Sequence, residues 1–483
     1  MDPSQLSLVD LAAALRGGEV SPVEATQAFL ERIRAHDDLG AFVEVTAERA
    51  LDRARALGTP REGAPPLWGV PLADKDLTAR AGVPTRYGSR AFRDFVPDAS
   101  DPLALALDRL GSVSLGKTST PEFGLTGYTE PAAGRPARNP WDPATGAGGS
   151  SGGAAVAVAA GLLPAAPASD AGGSIRIPAA TVGVVGLKPS RGRLPFVNGL
   201  DAPGGLGTAG PIARSVADAA LLLGALTSSA PRAHATGAPD PDGAFAGRAP
   251  LQELVARDPG RLRVGTTLAT PWDGWTDTTL DEGARAAFAW AAGVLEGAGH
   301  AVADAGWAPA GYPELFTTIW RASASTVPVA TEDLDCLVEP FTEWIVREGR
   351  AMGAQEALGG YQAAAAFERR TIEAFAPYDA VLTPALALSP RPIGWAGEAA
   401  SPLENFARQC QYAPHTSFVN VAGLPAVTVP VAAAPGERPW SVQLIGRPGG
   451  ELRILQLAAQ LEAARGELPR PPLRRPSADS PSA

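Results

Sequence analysis

The spacing of apolar and polar residues predicts alternating helices and strands in the first third of the chain. Apolar residues recur at helical spacing over 7–16 and 22–35. Ser7 and Ser21 are the expected N-caps of these two helices, and Pro22 occupies the first helical position of the second. The pattern then predicts a strand over 68–72, a helix over 101–110, a strand over 113–115 and a small-residue helix over 154–160.

The rest of the pattern continues as an α/β arrangement. Residues 228–260 are rich in proline, glycine and alanine, which indicates a long surface connection and not a domain linker. Buried strands are predicted at 379–384 and 426–430, and we expect both to be parallel. The proline-rich segment 469–483 is predicted to be a disordered tail, so residues 1–468 are expected to form one domain. Further elements are strands over 262–267 and 302–305, a helix over 281–298 and a helical region over 313–375.

The composition is that of a globular protein that does not bind nucleic acid. Of its 483 residues, 45% are hydrophobic, which is enough for a large core. The formal net charge is −10 and no basic stripe is visible, so we expect neither nucleic acid nor a membrane surface as a partner. Cys336 and Cys410 show no paired spacing, which indicates neither a disulfide framework nor a zinc site.

The N-terminal segment lacks the features of a targeting signal, because no basic region is followed by an apolar run. The most apolar stretch, 154–168, is interrupted by Gly161 and Pro164 and is too short to span a bilayer. We therefore expect a cytoplasmic protein.

One glycine-rich segment fits the P-loop pattern. Residues 111–118, GSVSLGKT, match it letter for letter, with Lys117 as its lysine. A P-loop needs a helix that opens at this lysine, but residues 113–115 are themselves strand-like and Pro121 delays the next helix. We interpret the match as a coincidence, a strand end followed by a turn capped by Thr120.

A second glycine-rich segment, Gly149 to Gly153, fits the G-x-S-x-G pattern of α/β-hydrolases, with Ser151 as nucleophile. The strand that should precede such a serine is replaced by the loop-like residues 142–148. His415 would have to be the base of this alternative, in a chain with only four histidines.

A third interpretation uses a lysine as the base. A lysine activates a serine only if burial keeps the amine neutral by lowering its pKa. If the strand near residue 72 continues, Lys75 shares a face with Ala73 and Leu77, while Asp74 and Asp76 point to the other side. The alternative is an ordinary lysine and aspartate pair at the surface.

Three motifs taken together resemble the signature of the amidase signature family. They are GVPLADKDLT with Lys75, GGSSGGAAVAVAAG with Ser150, and DAGGSIRIPAATVGVVGLKPSRGR with Ser174. The resemblance is dense over 69–194 and patchier over 208–226 and 379–461. The details KDLT, TEP and RNPW are similar to those of bacterial hydrolases that open cyclic nylon oligomers and of related acylamidases.

The resemblance implies an α/β fold, with a large, mixed and mostly parallel β-sheet covered by helices on both faces. It implies hydrolysis of a carboxamide through an acyl-enzyme at Ser174, without a metal or an organic cofactor. Lys75 would be the base. Ser150 would relay the proton, and it would follow a cis peptide bond after Gly149.

The resemblance also assigns supporting roles. Backbone N–H groups of Ala171, Gly172, Gly173 and Ser174 would form the oxyanion hole. Many members have Thr-Asp-Thr where this chain has Ser-Asp-Ala at 169–171, so the outer edge of the hole is expected to differ. The side chains expected to support the site are those of Ser151, Asp170 and Arg176, and the candidates to line the substrate pocket are Tyr128, Phe316 and Trp320.

Two other functions remain open at this point. The chain would fit a glutaminase-type subunit of a tRNA-dependent amidotransferase, although residues 412–420 lack the aspartate that holds the substrate amino group there. It would also fit an inactive relative, although Lys75, Ser150 and Ser174 are intact. For the enzyme, the expected partners are a small-molecule amide and water, and the expected state is a monomer or homodimer.

Overall fold

The protein is described by a computed structural model that covers residues 2–194, 197, 203–229, 237–247, 249–431 and 438–473. Residues 474–483 of the predicted tail lie outside the described residues, as do 230–236 and 248 of the predicted surface connection. The described part of that connection is packed, since Ala238 and Ala244 are buried.

The strands form one large sheet and two small ones. The large sheet has eight strands in the order β10-β9-β11-β13-β12-β7-β8-β6, a second sheet has the order β1-β3-β2, and β4 pairs with β5. The strands are β1 Phe42–Val45, β2 Pro71–Lys75, β3 Val113–Thr118, β4 Arg138–Asn139, β5 Asp142–Gly146, β6 Ala165–Asp170, β7 Val185–Lys188, β8 Thr208–Ala213, β9 Arg263–Thr266, β10 Ala301–Asp304, β11 Ala380–Pro384, β12 Ala426–Pro430 and β13 Ser441–Gly446.

The large sheet is mixed, as expected, but the expectation that it is mostly parallel is wrong. Among the described strands, only the pairs β10 with β9 and β11 with β9 are parallel. The other five pairs are antiparallel, including both pairs made by β12. The continuous apolar runs of β11 and β12 arise because both faces of the sheet are covered, a condition that does not depend on strand direction.

Helices cover both faces of the large sheet. Along β11, Ala380 and Leu382 belong to one core cluster and Val381 to another, as alternation across a strand requires. The helices are α1 Leu8–Gly17, α2 Pro22–Ala35, α3 Ala47–Leu57, α4 Pro102–Arg109, α5 Gly152–Ala159, α6 Arg176–Val182, α7 Val216–Ser228, α8 Leu251–Val255, α9 Glu282–Gly297, α10 Tyr312–Ala324, α11 Leu334–Leu337, α12 Pro340–Ala351, α13 Ala354–Phe375, α14 Pro402–Tyr412, α15 Ser417–Val421 and α16 Glu451–Arg465.

The predicted helix starts are confirmed at the N-terminus. The Ser7 side chain accepts from Asp10 N and caps α1. Ser21 and Glu24 form a reciprocal capping box at α2, with Pro22 in the first turn. Within the described residues, no helix combines the length and the apolar character needed to cross a membrane.

Candidate active site

Lys75 is the last residue of β2, a strand whose five residues are all buried. Its Nζ donates to Ser150 Oγ at 2.8 Å and to Ser169 Oγ at 3.3 Å. No acidic side chain in the described residues pairs with it. The predicted alternation along the strand is therefore confirmed, and the alternative of a surface lysine and aspartate pair is wrong.

The two aspartates that flank Lys75 are neutralised on the other side of the strand. Asp74 Oδ2 accepts from Arg80 Nε at 2.6 Å. Asp76 Oδ1 lies 3.2 Å from Lys117 Nζ. Since each carboxylate is paired with its own cation, neither raises the pKa of Lys75 by stabilising its charged form.

Burial lowers the pKa of Lys75 from 10.5 to about 7, although the negative charge of Asp170 opposes this shift. The amine therefore loses its proton near neutral pH. A neutral amine at hydrogen-bond distance from a serine hydroxyl can accept the proton of that hydroxyl.

The serine pair lies at the start of α5. The peptide bond between Gly149 and Ser150 is cis. A Cβ at Gly149 would lie 2.6 Å from the carbonyl carbon of Tyr128, and one at Gly153 would lie 2.2 Å from Ser119 N. These two glycines are therefore required by the close approach of neighbouring backbone.

The side chain of Ser151 is hydrogen-bonded to the backbone. Its Oγ is fully buried and donates to the carbonyl oxygen of Ser169 at 3.2 Å. His415, the base required by the α/β-hydrolase alternative, bonds through Nε2 to Leu268 O. Because no hydrogen bond joins Ser151 to His415 in the described residues, the structure does not bring that pair together.

Ser174 lies in the turn between β6 and α6. Its carbonyl oxygen accepts from Ser151 N at 3.1 Å, which fixes the two serine-containing segments side by side. The Oγ atoms of Ser150 and Ser174 are not hydrogen-bonded to each other in the described structure. Gly124 links the two serines, because a Cβ at Gly124 would lie 3.4 Å from Ser150 Oγ and Gly124 lines a cavity together with Ser174.

Of the four N–H groups predicted to form the oxyanion hole, one is already hydrogen-bonded within the protein. The N–H of Gly173 donates to Asp170 Oδ1 at 2.7 Å and is therefore not available to a substrate. The N–H groups of Ala171, Gly172 and Ser174 have no acceptor among the described residues. Gly173 is instead needed for its shape, because the described turn holds it at φ +127°.

Asp170 and Arg176 form a fully buried pair beneath this turn. Asp170 Oδ2 lies 3.0 Å from Arg176 Nε, and Asp170 also accepts from Ile175 N at 3.1 Å. Burial alone would raise the pKa of Asp170, but the positive charge of Arg176 holds it well below its usual range. The pair fixes the backbone that carries Ser174.

Sequence reasoning missed two further members of this network, Asn420 and Gln443. Arg176 Nη2 donates to Asn420 Oδ1 at 2.6 Å, and Arg176 Nη1 donates to Gln443 Oε1 at 2.7 Å. Gln443 had a detectable signal, since it is the single polar side chain within the apolar run VQLIG of β13. A lone polar residue inside a buried strand needs a buried partner.

The cavity lined by Ser174, called here the Ser174 cavity, is aromatic and uncharged. No acidic or basic side chain of the described residues lines it. Phe316 and Trp320 line it, as expected. Tyr128 does not, because it borders a neighbouring cavity and its OH accepts from Asn405 Nδ2 at 2.8 Å.

The P-loop match is a coincidence, as interpreted from the sequence. Lys117 lies within β3 and is fully buried. Its Nζ donates to Thr78 O at 2.7 Å and to Thr85 Oγ1 at 2.8 Å. Within the described ranges, no group of three or more histidine, cysteine, aspartate or glutamate side chains has the arrangement of a metal site.

Comparison with known proteins identifies the family of the chain. The model of the Amidase family matches residues 24–455. A putative amidase of Synechocystis sp. is 35% identical over 482 residues, which cover 96% of this chain and 90% of the relative. A glutamyl-tRNA(Gln) amidotransferase subunit of Synechococcus sp. is 34% identical over 502 residues, which cover 97% of this chain and 99% of the relative.

Solved structures agree as well. The structure of 6-aminohexanoate cyclic dimer hydrolase is similar with a TM-score of 0.82 and 28% identity, and the match covers 99% of both chains. Both the sequence match and the fold match thus extend over nearly the whole chain. The protein belongs to the amidase signature family and is an amide hydrolase.

Proposed function

We propose that the protein hydrolyses small-molecule carboxamides through an acyl-enzyme at Ser174, with Ser150 as proton relay and Lys75 as base. The observation that carries the proposal is the 2.8 Å bond between Lys75 Nζ and Ser150 Oγ in a buried setting without an acidic partner. A lysine with a pKa of about 7 is half neutral at physiological pH and can act as a base.

Acylation begins with two coupled proton transfers. Lys75 takes the hydroxyl proton of Ser150 while Ser150 takes that of Ser174, and Ser174 Oγ bonds to the carbonyl carbon. When the tetrahedral intermediate collapses, the proton returns from Lys75 through Ser150 to the amide nitrogen. The carbon–nitrogen bond breaks and the neutral amine leaves.

The free N–H groups of Ala171, Gly172 and Ser174 are the donors proposed to hold the oxyanion of the tetrahedral intermediate. Such a donor contributes about 3 kcal/mol to transition-state stabilisation. In deacylation, water attacks the ester carbon and loses its proton through Ser150 to Lys75. The ester bond breaks, and Ser174 recovers its proton.

The lining of the Ser174 cavity favours a neutral, apolar group on one side of the scissile amide. Trp272, Phe316 and Phe406 supply aromatic surface next to the serine. Ser417 Oγ accepts from Tyr312 OH at 2.8 Å and from Trp272 Nε1 at 3.3 Å, so the lone pairs of this hydroxyl are already engaged. An aryl or aliphatic group fits such a pocket better than a charged one.

A glutaminase-type subunit of an amidotransferase is the second candidate, because the amidotransferase subunit of Synechococcus sp. is 34% identical. Free glutamine carries both an ammonium and a carboxylate. No acidic side chain lines the Ser174 cavity in the described residues, and residues 412–420 contain no aspartate, so no partner for the ammonium lies beside Ser174. We therefore favour an independent amidase that acts on a small molecule in the cytoplasm, as a monomer or homodimer with residues 1–468 as one domain.

Mass spectrometry after treatment with a fluorophosphonate probe tests the proposal. We expect one adduct, on the peptide that carries Ser174. An adduct only on the peptide with Ser150 and Ser151 would contradict it. Hydrolysis of anilides, aliphatic amides, amino-acid amides and cyclic lactam oligomers by the isolated chain then identifies the substrate, whereas activity only with co-purified partner subunits would favour the amidotransferase.

A further inference from the structure

A second cavity adjoins the Ser174 cavity. The two share three lining residues, Gly127, Gln409 and Tyr412. The second cavity differs in its chemistry, because Arg391 and Glu130 also line it. A substrate that occupies both cavities would therefore place an apolar part beside Ser174 and another part near ionisable side chains.

Arg391 is a cation without a partner. Its guanidinium forms no hydrogen bond and no ion pair with any described residue. Its Nε is buried from solvent, and the guanidinium lies over the ring of Trp395, whose centroid is 5.4 Å from Cζ. A buried donor without an acceptor is rare in folded proteins and indicates either a bound water or a ligand group.

The backbone of Arg391 is held firmly. Its carbonyl oxygen accepts from Gly146 N at 3.0 Å, at the end of β5. The next residue, Pro392, forms a bridge with Thr145. With Pro390 and Pro392 on either side, the backbone has little freedom. The point at which the side chain is attached is thus fixed before a ligand binds, and Trp395 packs against the guanidinium. Both contacts lower the entropy cost of binding.

Resting on the amidase function proposed above, we propose that the second cavity is a carboxylate-recognition subsite. Arg391 binds an anionic end group of the substrate, several bonds away from the amide that Ser174 attacks. A planar guanidinium with free donors matches a carboxylate in a bidentate manner. The preferred substrates are then amides with an apolar group on one side and a terminal carboxylate on the other.

Two of the other charged groups near this subsite have hydrogen-bond or ion-pair partners of their own. Glu130 lines the cavity, but its Oε2 accepts from Gly394 N at 2.8 Å and burial raises its pKa, which reduces its repulsion of an anion. Arg408 lies over the same ring of Trp395 but pairs with Glu404 at 2.7 Å and does not line the cavity. Arg391 is the free cation among these groups.

The test compares substrates that differ only in the end group. Phenylacetyl amides of ω-amino acids of graded length, and anilides of dicarboxylic acids, are each paired with the carboxamide analogue in which the terminal acid is neutral. Because the terminal carboxamide is itself an amide, initial rates are followed only by release of phenylacetate or aniline, which reports cleavage of the internal bond. For the wild type we expect kcat/KM to favour the acid about tenfold to a hundredfold in at least one pair, mainly through KM. In Arg391→Gln the ratio of kcat/KM for the acid to kcat/KM for the carboxamide falls to about one, and Arg391→Lys keeps part of the preference for the acid.

The ratio is measured within each variant, so a lower amount of folded protein does not affect it. Arg408→Gln is the matched control, because it removes the neighbouring guanidinium and should keep the preference for the acid. Equal kcat/KM for acid and carboxamide in the wild type, or an unchanged ratio in Arg391→Gln, would contradict the proposed carboxylate subsite. Neither result would contradict the proposed amidase function.

If no pair is hydrolysed, equilibrium binding of the same compounds to Ser174→Ala gives the comparison. The subsite is supported if the acids bind more tightly than the carboxamides and if this difference is lost when Arg391 is replaced. Equal binding of acids and carboxamides contradicts it. Failure of the amidase function itself has a different signature, which is the absence of a probe adduct on Ser174.

Discussion

Lys75 and Ser150 are joined by a 2.8 Å hydrogen bond inside the protein, and the lysine has no acidic partner in the described residues. Lysines are rarely buried unless paired. Here burial favours the neutral amine at a pH where an exposed lysine is fully charged, which is the property that the proposed base needs.

The first prediction concerns the dependence of activity on pH. Only the neutral form of Lys75 accepts a proton, so kcat/KM of the wild type should rise with pH through about 7 and then level off. Lys75→Met should lower kcat about a hundredfold to ten-thousandfold. Its residual rate should keep rising with pH as hydroxide replaces the base. A wild-type profile that falls between pH 6 and 8 would exclude a neutral lysine base.

The second prediction concerns stability. Burial lowers the pKa of Lys75 from 10.5 to about 7, so between these pH values the unfolded chain binds a proton that the folded chain does not. The free energy of unfolding therefore rises with pH in this window, by up to about 1.4 kcal/mol per pH unit from this group. Below pH 7 the penalty is complete and constant.

Urea unfolding of the wild type and of Lys75→Met at several pH values measures this effect. The variant should be the more stable protein at pH 7, and its advantage should shrink as the pH approaches 10.5. Lys188, whose pKa burial also lowers to about 7, is present in both proteins and cancels in the difference. A difference that does not vary with pH would show that Lys75 is not buried in a neutral form.

The third prediction separates the serines. Ser174→Ala should abolish turnover and the probe adduct, because the nucleophile is lost. Ser151→Ala removes only a hydrogen bond to Ser169 O, so we expect about a threefold to tenfold loss of activity. Steady-state kinetics and intact mass of both variants decide the point. The α/β-hydrolase alternative requires the opposite order.

Local features of the site and fold were predictable from the sequence, because their causes lie within a few residues. The capping of α2 by Ser21 depends on Glu24 and Pro22. The burial of Lys75 opposite Asp74 follows from alternation along one strand.

Long-range features were not predictable in this way. The direction of β12 is set by its pairing with β7 and β13, and β7 is distant from it in sequence. Tyr128, a candidate for the substrate pocket, lines the second cavity and not the Ser174 cavity, and its hydroxyl is held there by Asn405, which is distant in sequence. Similarly, Arg391 belongs to no recognisable sequence motif. Its proposed role in binding a carboxylate rests on the finding that its guanidinium has no partner among the described residues, which only the folded structure reveals.

The fourth prediction concerns Lys117. Lys117→Met leaves Asp76 buried without its cation, which should lower the free energy of unfolding by about 3–5 kcal/mol. Asp76→Asn combined with Lys117→Met should recover part of this loss. The turnover per folded molecule should change little, and ATP with magnesium should not bind. Tight magnesium-dependent ATP binding by the wild type would reverse the interpretation of this segment.

The last prediction compares two adjacent glycines in the turn before Ser174. A Cβ at Gly173 would lie 2.5 Å from Thr416 Oγ1, and the residue has φ +127°, so Gly173→Ala must distort the turn. A Cβ at Gly172 would make only ordinary contact with Phe316, at 3.6 Å. Both variants keep every backbone N–H.

We therefore expect Gly173→Ala to lose kcat by about a hundredfold or more, because a displaced turn misaligns both the nucleophile and the oxyanion donors. Gly172→Ala should keep kcat within about tenfold, and any change should appear in KM because this residue lines the Ser174 cavity. The carboxylate of Asp170 accepts from the N–H of Gly173, so thermal unfolding should also show a lower midpoint for Gly173→Ala alone. Equal loss of kcat in both variants would mean that neither the positive φ of Gly173 nor the close approach of Thr416 is what limits substitution in this turn.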